Sequence, residues 1–193
     1  MFLIPLYNIG TNDISMRSKL DSVHIGNHII AIYQNQKTVF DDAFKFLKNG
    51  LDTNEIIMII TDRLSKEEIR NRMENEWNVP VKNLESSGDI QIKTTEEWYY
   101  SHGFPDPDKI KSFWQAMSEI ARVRCRTGFR VFADTHDFFK KGYGDDLVNY
   151  ESTLDSKFNF PFTAICAYDS KDIQSLTPSQ HDILFAHHGR NWK

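Results

Sequence analysis

The chain has 193 residues, of which 40% are hydrophobic and 26% are charged, and its formal net charge is −4. This composition is typical of a globular domain that buries a sizeable core, and it excludes disordered, collagen-like and coiled-coil classes. The slight acidic excess gives no general field to attract nucleic acid or an anionic membrane, so we expect neither as a partner.

The apolar runs and the cysteines indicate the compartment. Runs such as Ile56–Ile60 are far too short to cross a bilayer, and residues 1–7 lack the basic flank of a signal peptide. Cys125 and Cys166 both lie in apolar periodic segments, where a buried reduced thiol is commoner than a disulfide. We therefore expect a cytoplasmic protein.

The first elements in chain order are a strand and a helix. Residues 1–22 show no sustained period, so we predict an N-terminal extension there and a single domain over residues 23–193. Residues 29–33 form a β-branched apolar run typical of a strand buried on both faces. Residues 39–47 then carry apolar side chains at helical spacing, and Gly50 is the predicted helix stop.

A second strand and helix follow the first pair. Residues 56–60 predict another buried strand, and Ser65 with Glu68 forms the capping box of a helix that reaches Trp77. The segment Ile90–Ile92 is a weaker, alternating strand.

The second half repeats this alternation. Asp106 and Pro107 are an N-cap and first-turn residue of a long helix that Gly128 is predicted to end. Two further strands, residues 129–134 and 162–167, flank another helix, and a last capped helix begins at Thr177. The order predicts an α/β fold: three layers, with a mainly parallel sheet covered by helices on both faces.

Candidate site residues are those that follow the predicted strands. Ligands of open parallel sheets bind beyond the carboxyl ends of the strands. This rule selects four segments: residues 33–38, 61–63, 134–137 and 168–170.

The connection after the first strand resembles a phosphate-binding loop without its glycines. A working loop would read G-x-x-x-x-G-K-[ST], but this connection reads QNQKT, and there is no glycine between Gly26 and Gly50. Lys37 and Thr38 remain where that motif would end, and Asp134 ends a strand as a magnesium-orienting acid would. One open alternative is therefore a divergent nucleotide-binding protein or ATPase that uses Lys37-Thr38, Asp134 and a magnesium nucleotide.

The sequence contains only weak signals for a metal site or a catalytic site. Residues 134–137, DTHD, combine carboxylates with an imidazole, but the chain lacks H-E-x-x-H and paired Cys-x-x-Cys, so we predict no dedicated metal site. His187 and His188 are interpreted as solvated at the end of the last helix. No local signature selects a catalytic set, so we expect a regulatory protein rather than an enzyme. The aromatic group around Tyr100 either packs in the core or lines a ligand pocket.

Several of these segments together resemble the MEDS family of methanogen and methylotroph sensory domains. The similar segments are G-N-H-I-I-A-I-Y at residues 26–33, F-L-K-N-G-L at 46–51, Tyr99 or Tyr100 with Gly103-Phe104, Tyr150-Glu151, C-A-Y-D at 166–169, and His187. The resemblance spans about His24 to His188. It differs at residues 134–138, where family members tend to carry Glu and a following aromatic.

The resemblance implies a RecA-like fold related to KaiC-type ATPases, without an intact P-loop, in an archaeal or bacterial signalling protein. It implies recognition of a small, hydrocarbon-like signal, and the strand-end rule locates the expected binding site at the carboxyl edge of the sheet. The expected ligand-binding residues are His28, Tyr33, Lys37, Thr38, Tyr100, Asp134, Glu151, Cys166 and Tyr168. Because no output domain follows the closing histidine, we expect the signal to pass to a separate signalling or transcription partner, or through self-association.

Overall fold

The computed structural model describes residues 23–101 and 106–192. Two predicted features, the N-terminal extension at residues 1–22 and the Gly103-Phe104 loop, lie outside the described residues. Within the described part, no helix is long and apolar enough to span a membrane.

A parallel sheet of six strands forms the centre of the described chain. The strands are β1 (His28–Tyr33), β2 (Ile56–Ile60), β3 (Ile90–Lys93), β4 (Phe129–Asp134), β5 (Phe162–Asp169) and β6 (Arg190–Trp192). Their order is β3-β2-β4-β5-β1-β6, and each neighbouring pair is parallel. The connections after β2 and β4 leave in opposite directions, so a crevice opens between the carboxyl ends of these two strands.

Helices cover both faces of the sheet. They are α1 (Gln36–Asp52), α2 (Lys66–Trp77), α3 (Val81–Ser87), α4 (Thr95–Tyr99), α5 (Pro107–Val123), α6 (His136–Lys140), α7 (Gly144–Glu151), α8 (Ser170–Ser175) and α9 (Pro178–Ala186). The apolar side chains of α1, α2 and α3 pack on one face, which we call the α1 face. Those of α4 to α9 pack on the other, the α7 face. The predicted three-layer α/β organisation is confirmed.

Local sequence signals explain where several helices begin. Ser65 accepts a hydrogen bond from the backbone N–H of Glu68, whose side chain returns one to the cap residue, so the predicted capping box is formed. Asp106 caps α5 ahead of Pro107, and Thr177 caps α9 in the same way as Ser65 caps α2. These caps satisfy backbone N–H groups that would otherwise be unpaired.

Two predicted helix ends were wrong. Helix α1 continues through Gly50 to Asp52. Gly50 is a packing position rather than a helix stop, because a Cβ there would lie 2.6 Å from Cδ of Arg130. Helix α5 ends at Val123, five residues before Gly128, and the chain turns through Cys125, whose φ of 56° is left-handed. The short elements α3, α4, α6, α8 and β6 were not predicted.

Candidate functional site

Asp134, the last residue of β4, is the centre of a buried polar group at the carboxyl edge of the sheet. It faces the α1 layer and is 3% exposed. Its carboxylate accepts hydrogen bonds from the Tyr33 hydroxyl at 3.1 Å, the Thr61 hydroxyl at 2.9 Å and the His136 backbone N–H at 3.3 Å. The ends of β1, β2 and β4 are therefore joined through one carboxylate.

Arg63 places a positive charge beside this group but makes only long contacts with its carboxylates. Its Nε lies 3.4 Å from Asp134 Oδ2, and its Nη2 lies 3.4 Å from Asp169 Oδ2. The guanidinium carbon is 5.3 Å from the centre of the Tyr33 ring. Nε is buried and has no hydrogen-bond partner among the described residues. The arrangement is an ion pair that leaves a strong donor unused.

Burial dominates the electrostatics of this group. It raises the pKa of the Asp134 carboxyl, and the opposing effects of the Arg63 charge and the Thr61 hydrogen bond do not cancel that rise. Burial, followed by the Asp134 charge, likewise raises the pKa of the Tyr33 hydroxyl. Tyr33 therefore stays protonated and acts as a hydrogen-bond donor.

A polar cleft of about 400 Å³ opens on one side of this group. Its lining residues are Gln36, Asp62, Arg63, Asp134, His136, Asp137, Lys140 and Asp169. Half of them are aspartates, which outnumber the cations Arg63 and Lys140, so the lining has an acidic excess that disfavours a phosphate group without a metal ion. His136 is itself held by Asp172, at 2.7 Å from Nδ1 to Oδ2.

An apolar pocket of about 320 Å³ opens on the other side of Tyr33. Its lining residues are Ala31, Ile32, Tyr33, Gln34, Asn35, Thr38, Val39, Asp42, Ala43, Phe132, Ile165 and Trp192. The apolar members come from β1, β4, β5 and α1, and the polar ones are near the start of α1. Trp192, on β6, donates its indole N–H to Asp42 Oδ2 at 3.0 Å. The pocket thus combines an apolar lining with a few polar groups, the common composition of small-molecule sites.

The side chain of Asn35 occupies the first-turn backbone donors of α1. The Asn35 side chain accepts the backbone N–H groups of Lys37 at 2.9 Å and Thr38 at 3.3 Å. These are the first-turn donors that a bound anion would use. The Lys37 ammonium group, 84% exposed, pairs instead with Asp41 at 2.7 Å.

A second group of chemically active side chains is buried on the α7 face. We call His28, Glu151, Cys166 and His188 the buried quartet; one potential metal-ligand atom from each lies within 4.8 Å of the others. His28 Nε2 is 3.4 Å from Glu151 Oε2 and 3.5 Å from Cys166 Sγ. His188 Nε2 is 3.7 Å from the same Glu151 oxygen. All four residues are buried.

Neighbouring groups fix the orientation of the quartet. His28 Nδ1 donates to the Asp155 carbonyl at 3.1 Å, and His188 Nδ1 donates to the Leu184 carbonyl at 2.6 Å. The Tyr168 hydroxyl donates to Glu151 Oε1 at 3.2 Å. Burial lowers the pKa of His188 to about 4, so its imidazole is neutral at physiological pH.

The structure divides the predicted binding residues between these places. Tyr33 and Thr38 line the apolar pocket, and Asp134 lines the polar cleft. His28, Glu151, Cys166 and Tyr168 belong to the quartet and its surroundings on the opposite face, so the structure does not bring the predicted residues together in one cavity. The reason is the two-residue period of a strand: His28 and Tyr33 differ by an odd number of positions and point to opposite faces.

Two other predicted residues lie outside these groups. Lys37 lines neither cavity, and its ammonium group pairs with Asp41. Tyr100 is 7% exposed and packs against Phe138 and Tyr143, so it belongs to the core of the α7 face. Of the two interpretations that the sequence left open for Tyr100, core packing describes its position.

Sequence reasoning missed several residues of these sites. His188 was interpreted as solvated but is buried, because the chain folds back after α9 and places its ring 4.0 Å from that of His28. Arg63 lies in a segment that the strand-end rule selected, and that rule was the available signal. No sequence signal pointed to Trp192, because β6 has only three residues and is too short to show a strand pattern.

The chain resembles known proteins at two levels. No curated protein sequence matches it significantly. Among solved structures, it is similar to the flagellar accessory protein FlaH from Methanocaldococcus jannaschii, with 12% sequence identity and a TM-score of 0.48. That match covers 90% of this chain and 74% of FlaH. Residues 27–188 match the family model described as "MEthanogen/methylotroph, DcmR Sensory domain", and the chain therefore belongs to the MEDS family of sensory domains.

Proposed function

We propose that this sensory domain binds a small, largely apolar molecule in the apolar pocket and passes its occupancy to a separate partner protein. The observation that carries the proposal is the pocket of about 320 Å³ at the carboxyl end of β1. Its volume falls at the lower end of the range for small-molecule sites, which suits a compact ligand. Membership of a sensory family supports a signalling role for that ligand.

The walls of the pocket suggest how binding is transmitted. Tyr33 is one wall and is tied to Asp134, so a ligand that moves its ring also disturbs the loosely paired Arg63. Trp192 is another wall and lies on β6, which is an edge strand of the described sheet. Edge strands present unpaired backbone groups to a partner. A ligand that favours one arrangement of Tyr33 and Trp192 thereby shifts the population of the partner-binding state.

The nucleotide alternative requires different side chains. Lys37 would have to leave Asp41, and a phosphate would have to displace Asn35 from the first turn of α1. The aspartates of the polar cleft oppose a polyphosphate as well. The geometry therefore favours the apolar pocket.

Isothermal titration and tryptophan fluorescence test the proposal with a panel of short-chain alcohols, chlorinated alkanes and benzene. The variant Ala43→Leu adds volume at a fully buried residue of the pocket lining, with its fold checked by circular dichroism, and Ala186→Leu makes the same change at an exposed helical position. We expect at least one probe to bind the native protein, Ala43→Leu to weaken it more than about tenfold, and Ala186→Leu to bind normally. Trp192→Phe should remove the fluorescence response.

Two results would contradict binding in the apolar pocket. If no probe binds while Mg²⁺-ATP raises the melting temperature of the native protein, the nucleotide alternative replaces this proposal. If Ala43→Leu and the native protein bind a probe equally, the ligand occupies another place.

A further inference from the structure

The buried quartet lies outside the proposed pocket and has the residue types of a metal site. It contains two imidazoles, a carboxylate and a thiol, and these are the side chains that bind zinc in proteins. The donors come from four elements: the start of β1, the end of α7, the middle of β5 and the turn after α9. Their convergence is a property of the fold and not of one local segment.

Three of the separations between the donor atoms are close to those of tetrahedral coordination. With ordinary zinc bond lengths, neighbouring ligand atoms in a tetrahedral site are about 3.3–3.6 Å apart. Of the six separations in the quartet, two are 3.4 and 3.5 Å and fall in this range, one is 3.7 Å, and the other three are within 4.8 Å. Four donor atoms this close together can converge on one ion after small side-chain adjustments.

The hydrogen bonding of the quartet is incomplete without a positive centre. Each histidine donates its Nδ1 proton to a carbonyl oxygen, which can only accept, and the neutral His188 therefore presents its Nε2 lone pair to Glu151. Glu151 Oε2 and His188 Nε2 are buried and have no hydrogen-bond partner among the described residues. The single thiol proton of Cys166 cannot satisfy both of these acceptors, and buried acceptors left unpaired are costly.

The surroundings match those of a metal centre as well. Metal-binding histidines usually donate their second ring nitrogen to a carbonyl or carboxylate, as both quartet histidines do, and ligating carboxylates are themselves hydrogen-bonded. Tyr168 supplies that bond to Glu151. A divalent ion with one thiolate and one carboxylate gives a neutral site, the condition for placing charges in a core.

We propose that His28, Glu151, Cys166 and His188 bind one Zn²⁺ ion. Because all four ligands are protein side chains and the centre is enclosed, the site is structural rather than catalytic. It fastens the segment of α9 and β6 to the sheet, and β6 carries Trp192 of the apolar pocket. The thiol loses its proton to solvent when the ion binds.

The first test measures metal in the untagged full chain, produced in zinc-supplemented minimal medium. We expect one zinc per chain by elemental analysis and a lower melting temperature after chelation. Replacing zinc with Co²⁺ should give the visible bands of a tetrahedral site and a near-ultraviolet sulfur-to-cobalt band. A native protein that is folded but holds neither zinc nor Co²⁺ in stoichiometric amount overturns the proposal, and this result needs no variant.

Matched variants then identify the ligands. Cys166→Ser should abolish the sulfur-to-cobalt band, whereas Cys125→Ser, at the exposed cysteine, should retain it. His188→Gln should weaken Co²⁺ binding more than about tenfold, and His24→Gln, at an exposed histidine, should not. Circular dichroism establishes that each variant is folded. Retention of the band in folded Cys166→Ser, or its loss in Cys125→Ser, contradicts the assignment.

Discussion

The two ends of β4 carry buried charges of opposite sign that are paired in different ways. Arg130 and Asp134 both point to the α1 face and are each 3% exposed. Arg130 forms two bonds to Glu55, at 2.6 and 2.9 Å, and its remaining Nη1 donates to Phe46 and Asn49. Asp134 meets Arg63 only at 3.4 Å.

This difference separates a rigid end of the α1 layer from an adaptable one. At the amino end of β4, every nitrogen of the guanidinium donates at least one hydrogen bond, and Gly50 lets α1 approach closely. At the carboxyl end, the Arg63 Nε has no hydrogen-bond partner in the described chain, and two cavities adjoin the ion pair. Fully satisfied networks fix one conformation, whereas incompletely satisfied groups are common at sites that change on binding.

Removing Arg130 should have the largest effect on stability. Arg130→Met leaves the Glu55 carboxylate buried without its partner, and we expect a loss of about 3–5 kcal/mol in the free energy of unfolding. Urea denaturation measures it. Arg122→Met is the matched control, because the Arg122–Glu119 pair is exposed, and its midpoint should stay nearly unchanged. Similar midpoints for the two variants would show that the amino end is not the rigid one.

Removing the Tyr33 hydroxyl tests the adaptable end. Tyr33→Phe deletes a hydrogen bond to a buried carboxylate, and we expect a loss of about 1.5–3 kcal/mol in the free energy of unfolding. The matched control is Tyr100→Phe, since the buried Tyr100 hydroxyl has no hydrogen-bond partner in the residues described. That control should be neutral or slightly stabilising. If the control is the more damaging variant, the polar group at Asp134 does not hold the strand ends together.

The pH dependence of Asp134→Asn should reveal the incomplete pairing of Asp134. The pKa of Asp134 is raised in the folded state, so folding favours the protonated carboxyl. That contribution is fully present below the ordinary pKa of 3.8 and is lost as the pH rises through the folded value. The stability of Asp134→Asn relative to the native protein should therefore increase from acid to neutral pH in urea titrations.

Asp106→Asn should show the opposite pH dependence of stability in the same urea titrations. The backbone N–H of Lys109 bonds the Asp106 carboxylate and lowers its pKa, so stability from this group is lost on acidification. The relative stability of Asp106→Asn should thus decrease from acid to neutral pH. Slopes of the same sign in the two variants would contradict the pairing that we describe for Asp134.

The smallest effect is expected at Lys37. Lys37→Ala removes an exposed pair with Asp41 within α1, and the free energy of unfolding should fall by only about 0.3–0.5 kcal/mol. Probe binding in the apolar pocket should be unchanged by titration calorimetry. Loss of Mg²⁺-ATP binding in this variant would instead place Lys37 in a nucleotide site.

The order of the main strands and helices was predictable because their signals are local. Continuous apolar runs marked β2 and β5, and the capping residue Thr177 marked the start of α9. Gly50 misled the prediction of a helix end, since its role depends on Arg130, which is 80 residues away and arrives only through tertiary packing. Local patterns carry no information about such contacts.

The candidate sites were predictable in part. The strand-end rule selected Asp134 and the segment of Arg63, because the carboxyl ends of parallel strands meet at one edge. It also grouped Tyr168 with them, although the Tyr168 side chain points into the α7 face. The role of His188 was missed because its partners, His28 and Glu151, come from distant elements. Sequence spacing does not show which face of a sheet a long-range neighbour occupies.

The most direct test of the proposed pocket compares two indole signals by NMR during titration with a bound probe from the panel. The Trp192 indole N–H bonds Asp42 at the apolar pocket, whereas the Trp114 indole N–H bonds the Tyr150 hydroxyl in the core of the α7 face. We predict that the Trp192 signal shifts with probe concentration and that the Trp114 signal stays in place. A shift of Trp114 with a stationary Trp192 would contradict the account.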